Sequence, residues 1–302
     1  MDLQKKLKVA LNENRLLMLG AQVLFGFQFN GVFQELFVEL PYAFRLLESS
    51  GLTLLMCSIA FLIAPSMHHR IVEGGQDNTH VLRLATDFAG FALLPLSLTL
   101  AFDMFVASAG TAGEVSGIAV GAAFLLLAIF FWFALGFLMR RKKPAMVQHK
   151  TMRTPLDVQV DQLLTEARLI IPGAQALLGF QLAVTLMRAF AELPLGVKAV
   201  HVIALCCVGL AVILLVAPAS IHRLAFSGED DPEFMKIASF FVVLAPLPLA
   251  IGIALDTFVA AGRALQSGTV ASGMAIAAII VLLGTWYAYP LAQRIRQGKV
   301  RR

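Results

Sequence analysis

The sequence predicts an all-α polytopic membrane protein, eight transmembrane helices built as two parallel, same-orientation four-helix repeats. Three observations carry that prediction. Of 302 residues, 59% are hydrophobic and only 14% charged, with a mean hydropathy of +0.80, whereas a soluble domain carries about 25% charged residues. Eight apolar runs approach the ~20 residues a helix needs to cross about 30 Å of hydrocarbon. One stretch also occurs twice, as ENRLLMLGAQVLFGFQ from Glu13 to Gln28 and as EARLIIPGAQALLGFQ from Glu166 to Gln181. The offset of 153 residues continues through Glu39/Glu192, Pro41/Pro194, Pro65/Pro218, Arg70/Arg223, Pro95/Pro248 and Asp103/Asp256. This is a tandem duplication of a unit of ordinary domain size.

Each copy opens with a charged segment whose apolar residues recur at helical spacing: Leu3, Leu7, Ala10 and Leu11 in one, Leu156, Val160, Leu163 and Leu164 in the other. Both read as amphipathic lead-in helices lying at the membrane surface. The first copy's spans then run over about Leu16 to Phe33, Gly51 to Ala64 with a backward extension through Phe44, Leu84 to Ala109, and Ile118 to Met139. The second copy's run over about Leu169 to Leu186, Val197 to Ala217, Ile237 to Ala261, and Val270 to Tyr289. Glu39 and Glu192, each next to a proline, mark the turn of the first hairpin, and Pro95 and Pro248 are expected to kink the third and seventh spans. The units are expected at residues 1–139 and 156–302, with a basic, proline-punctuated linker at 140–155. An even number of spans per copy makes the repeats parallel, and a pseudo-twofold axis along the membrane normal is the expected relation between them, unlike the inverted repeats of many transporters.

Placing the amino terminus inside puts 20 of the 24 basic residues on the cytoplasmic side, leaving only Arg45, Arg188, Lys198 and Arg263 outside. Both termini are therefore expected in the cytoplasm of a cell with the chain in its inner membrane. The start, MDLQKKLKVALNENR, lacks the apolar core of a cleaved signal peptide. The net charge of +5 sits beside apolar spans, which points to anionic lipid headgroups as partners and away from nucleic acid. Cys57, Cys206 and Cys207 lie inside apolar runs without metal-ligand or redox spacing, so no disulfide framework, metal or cofactor is expected from them. No nucleophile elbow, phosphate-binding glycine loop or HExxH motif is present, and an enzyme is not expected.

Both copies carry E-x-R, then G-x-Q in the first span, then A-P-x-x-x-H-R after the second: Glu13, Arg15, Gly20, Gln22 and Ala64 to Arg70 in one, Glu166, Arg168, Gly173, Gln175 and Ala217 to Arg223 in the other. In these motifs the chain resembles an uncharacterised bacterial integral-membrane family, a four-helix domain of unknown function. The resemblance covers most of the chain, but members are usually one unit long, and the doubling here implies that single-unit relatives pair as dimers. Some relatives carry a sodium:proton antiporter label, so the resemblance implies a fold and suggests, without established chemistry, ion exchange.

Three groups of polar residues are the candidates. Glu13, Arg15, His69 and Arg70, with Glu166, Arg168, His222 and Arg223, gather at the cytoplasmic mouth of each unit, either as a proton-responsive latch or, the simpler and preferred reading, as interfacial ion pairs that anchor a helix hairpin. Gln22 and Gln28, with Gln175 and Gln181, place amides about 10 and 20 Å beyond the arginine along the first span of each copy. They either hydrogen-bond a neighbouring helix, which is preferred, or line a polar pathway. Asp103 and Asp256 are intramembrane carboxylates, costly at the bilayer centre by about 2.5 to 3.5 kcal/mol and cheap at a wet outer rim, and both depths remain open. The best functional guess is passage of a small cation or proton along the glutamines and aspartates; the alternative is a non-transporting membrane protein that organises lipid or a partner through its basic face.

Overall fold

A computed structural model describes residues 3–76, 79–139 and 154–300, and among them the fold is entirely helical. The first copy comprises α1 (Leu3–Gly31), α2 (Tyr42–Ile71), α3 (Thr79–Ala112) and α4 (Glu114–Ala134). The second comprises α5 (Leu156–Thr185), α6 (Leu195–Leu224), α7 (Pro232–Leu265) and α8 (Gly268–Gln297). All except α1 are long and apolar enough to cross a membrane. Short connections alternate the helix directions, so each copy is an up-down bundle with one end carrying the starts of α1 and α5, called here the terminal end, and a far end carrying the α1–α2 and α5–α6 connections. Pro41 and Pro194 precede the first residues of α2 and α6, where a missing N–H costs nothing.

Two expectations about individual helices change. The lead-in segments are not separate surface helices, because α1 and α5 each run unbroken from lead-in to span. The prolines also act differently in the two copies. Helix α3 passes through Pro95 without interruption, whereas α7 breaks at Ala245, where Pro246 and Pro248 together withdraw two amide donors within three residues. Both last helices contain a π-helical turn, Phe130–Ala134 and Gly284–Ala288, displaced by 154 rather than 153 residues. One extra residue in the α7–α8 connection, where Gln266 takes a left-handed conformation, accounts for the shift.

The copies share one core. Met18, Phe25, Leu52 and Leu55 of the first join Leu169, Leu177, Leu249 and Trp286 of the second in a single buried cluster. Their relation is not the expected twofold, however. The stripe Gln22, Gly26, Phe29 and Phe33 on α1 is buried, and the same stripe on α5, Gln175, Gly179, Leu182 and Leu186, is exposed. Conversely Leu169 and Gly173 on α5 are buried, and their equivalents Leu16 and Gly20 on α1 are exposed. One face of α1 therefore packs on a different face of α5: the Gln22 side chain fills the space over Gly173, and Phe180 fills the space over Gly26. Likewise α2 lies along α7 and α8, while no comparable contact joins α6 to α3 or α4 among the described residues. Under a twofold, equivalent residues would share an environment, and here they do not.

Candidate functional site

Two polar sites occupy equivalent places near the far end of each unit. In the first, Gln28 Nε2 donates to Asp103 Oδ1 at 2.5 Å. In the second, Gln181 Nε2 donates to Asp256 Oδ2 at 2.6 Å. The bond joins the first helix of each unit to the third, so two of the candidate residues in each copy, Gln28 with Asp103 and Gln181 with Asp256, lie together. Gly51 brings the α2 backbone against the Gln28 amide, and Thr99 donates to the carbonyls of Gly51 and Pro95, so the floor of the first site is hydrogen-bonded.

The second helix adds a second ionisable group that differs between copies. Glu48 lies within electrostatic reach of Asp103. Its equivalent one repeat later is His201, whose Nδ1 is 3.4 Å from Asp256 Oδ1 and whose Nε2 is 3.1 Å from the Gln181 carbonyl oxygen. A carbonyl can only accept, so Nε2 carries the hydrogen. Nδ1 then faces a carboxylate oxygen, a contact that is attractive only when one proton sits on the imidazole or the carboxyl group. Asp256 and His201 face each other in a place with no solvent exposure, and neither His201 Nδ1 nor Asp256 Oδ1 has a hydrogen-bond partner. The remaining amide oxygens, Gln28 Oε1 and Gln181 Oε1, are buried without a partner in both sites.

The sites also differ in cover. Phe29, from α1 of the first copy, stacks on His201 at 5.7 Å and 15°, and Phe190 meets the ring edge-on at 5.1 Å. The equivalent of Phe29 is Leu182, which points away into the open, and Glu48 and Asp103 remain half-buried. Sequence reading missed Glu48 and His201 because it retained identical residues. Pairing positions by ionisable character at the 153-residue offset would have found them.

Gln22 and Gln175 belong to neither site. Gln22 is buried against Gly173 between the units, and Gln175 is exposed, so the expected column of glutamines along one path is not formed. The terminal-end cluster differs too. It does not unite the ends of each unit. Instead Glu166 of the second copy, fully buried, accepts from Arg70 Nε and lies 2.7 Å from His69 Nδ1, both on α2 of the first copy. The counterpart trio stays apart: Glu13 and Arg223 are exposed, and His222 packs at a tilt on Phe234 at 4.6 Å with Asp230 3.9 Å away. Arg15 and Arg168 are exposed as well. Of the linker, residues 140–153 fall outside the described residues; Thr154 at its end donates its amide to Gln76 at 2.9 Å.

A family model described as "Family of unknown function (DUF6328)" matches the chain twice, over residues 2–136 and 149–290. No curated protein and no solved structure matches it.

Proposed function

The chain belongs to the family of unknown function DUF6328, as two tandem copies, and from that premise we propose that it is a transporter, not an enzyme, passing or exchanging protons or a small cation across a bilayer. In this reading all eight long helices span the inner membrane, both termini face the cytoplasm, and basic segments at the terminal end meet anionic headgroups. The observation that carries the proposal is the fully buried Asp256, hydrogen-bonded by Gln181 and 3.4 Å from His201 Nδ1. A carboxyl group inside a span is costly unless it is partnered or used, and its recurrence with the same glutamine in both copies is accounted for by a role in moving charge. Asp256 and His201 would hold the proton, with Gln181 orienting the carboxyl group. Glu48, Asp103 and the free Gln28 oxygen offer an oxygen-rich station for a proton or small cation in the other unit. Apolar core separates these stations from the terminal end, so passage requires movement, for which the break at Ala245 gives α7 a joint.

One observation favours a second reading, a non-transporting protein that organises lipid or a partner through its basic face. The Glu166, His69 and Arg70 cluster locks the two units together without solvent exposure. Flux of protons, sodium and potassium into liposomes carrying the purified protein separates the readings. Transport predicts flux that is abolished in the double variant Asp103→Asn, Asp256→Asn. No flux above empty liposomes for any of the three ions would overturn it in favour of the second reading.

A further inference from the structure

The contact between the two units leaves both of its own faces available a second time. On α5 the exposed stripe Gln175, Gly179, Leu182 and Leu186 repeats the stripe that α1 uses for docking. On α1, exposed Leu16 and Gly20 repeat the surface that receives it. An apolar helix face turned outward would be unremarkable in lipid. An amide there is different, because Gln175 finds no partner in hydrocarbon, whereas its equivalent Gln22 is buried over Gly173. Gly20 has nothing within 4 Å of where a Cβ would stand, which leaves the space that Gln175 needs.

Three further pairs, the first two remote from this stripe, show the same half-used pattern. Trp286 is fully buried and donates Nε1 to the Ala60 carbonyl at 2.9 Å, while Trp132, at the equivalent π turn, is exposed, as is Ile213, the equivalent of Ala60. Glu166 is buried against His69 and Arg70, while Glu13 and Arg223 are exposed. The His201 site is sealed by Phe29, while the Glu48 site lacks a seal because Leu182 points away from it.

We propose that this chain assembles with further copies of itself through the contact that already joins its two units, with Gln175 of one chain seated on Gly20 of the next. A contact between unlike faces leads on to another, and it ends only by closing a ring. At 100° per residue the donor and acceptor stripes on one helix lie about 130° apart, so successive units bend round instead of running straight. Closure would bring Glu13 to His222 and Arg223, bury Trp132, and lay Leu182 over Glu48 and Asp103.

Native mass spectrometry of the full chain released from lipid nanodiscs should give multiples of 32.6 kDa. Gly20→Leu should reduce these to single chains whose unfolding temperature is no lower than that of the wild-type single chain, since the added side chain enters open space in the isolated chain. In a background with Cys57, Cys206 and Cys207 replaced by serine, Glu13→Cys with Arg223→Cys should give a covalent ladder on a denaturing gel whose top rung counts the chains. Wild type appearing only as single chains would overturn the proposal. So would assembly untouched by Gly20→Leu, or a dimer crosslinked by Glu13→Cys alone, which would signify a contact between like faces.

An independent observation concerns the α2–α3 connection. The His68 ring is 1% exposed and neither of its nitrogens has a hydrogen-bond partner, an arrangement that costs about 1 to 3 kcal/mol unless something binds there. Glu73 and His80 each bring a ligand atom so that all three lie within 4.8 Å of one another. We infer that His68, His80 and Glu73 bind a divalent transition metal of the zinc class, for which two imidazoles and a carboxylate with an open position are a fitting donor set. Titration of the full chain in detergent with Co²⁺, followed by its visible absorption, should show one site in competition with Zn²⁺. His80→Ala, at a half-exposed position, should weaken it at least tenfold without unfolding, and His222→Ala should leave it unchanged. Absence of a saturable Co²⁺ spectrum, or equal affinity in His80→Ala, would overturn the assignment.

Discussion

The two polar sites share a hydrogen bond and differ in everything around it. Gln28 to Asp103 and Gln181 to Asp256 are the same bond one repeat apart, so it does not depend on what surrounds each site. What surrounds it does depend on position in the chain: the second site has a histidine and is sealed by a helix of the other copy, while the first has a second acid and stays half-open. The same lesson holds at the terminal end and between α1 and α5. In this molecule environment is set by which face of a unit meets a neighbour, not by the residue itself. Paired substitutions at equivalent positions therefore should not have paired effects.

The largest contrast is expected at the glutamates. Glu166→Ala leaves a buried Arg70 without its counter-charge, a loss of about 3 to 5 kcal/mol, whereas Glu13→Ala removes an exposed side chain and should stay within about 0.5 kcal/mol. Unfolding of both variants in detergent, followed by circular dichroism, checks this. Equal destabilisation would mean that the copies are used alike after all. The glycines come next. Gly173→Ala puts a methyl group where the Gln22 side chain lies and should cost about 1 to 3 kcal/mol. Gly20→Ala meets nothing, and should gain roughly 0.5 to 1 kcal/mol of helix propensity. A gain at both would break the assignment of unlike faces.

The duplication and the helical spans were legible because hydropathy and a fixed offset are properties of a linear chain. Choice of face was not. Gln22 and Gln175 stand in nearly identical sequence, GAQVLFGFQ and GAQALLGFQ, yet one is buried and the other exposed. Nothing local separates them, since the difference lies in what each helix meets in space. Asp103 and Asp256 could be picked out because lipid makes any carboxyl group conspicuous, but their third partners could not, since Glu48 and His201 differ in type and a comparison of identities passes over them. Of the terminal-end candidates, Glu166, His69 and Arg70 meet, but between copies, where a motif repeated in each copy suggests contacts within a copy.

The smallest and most specific contrast is at those third partners. His201→Gln retains an N–H that can reach the Gln181 carbonyl but loses the ring that stacks on Phe29 and meets Phe190 edge-on, aromatic contacts worth about 0.5 to 1.5 kcal/mol each. A loss of about 1 kcal/mol is expected, against a change within about 0.5 kcal/mol for Glu48→Gln at its half-exposed position. Stability alone would not separate a packing role from a proton-sharing one. Infrared spectroscopy does, through the carbonyl stretch of a protonated carboxyl group. If Asp256 and His201 share a proton, removing the imidazole leaves Asp256 as its only holder, and that band should strengthen in His201→Gln and vanish when Asp256→Asn is added. Were the band unchanged between wild type and His201→Gln, the histidine would be a stacked core residue beside a carboxyl group, and the two sites would differ in packing but not in chemistry.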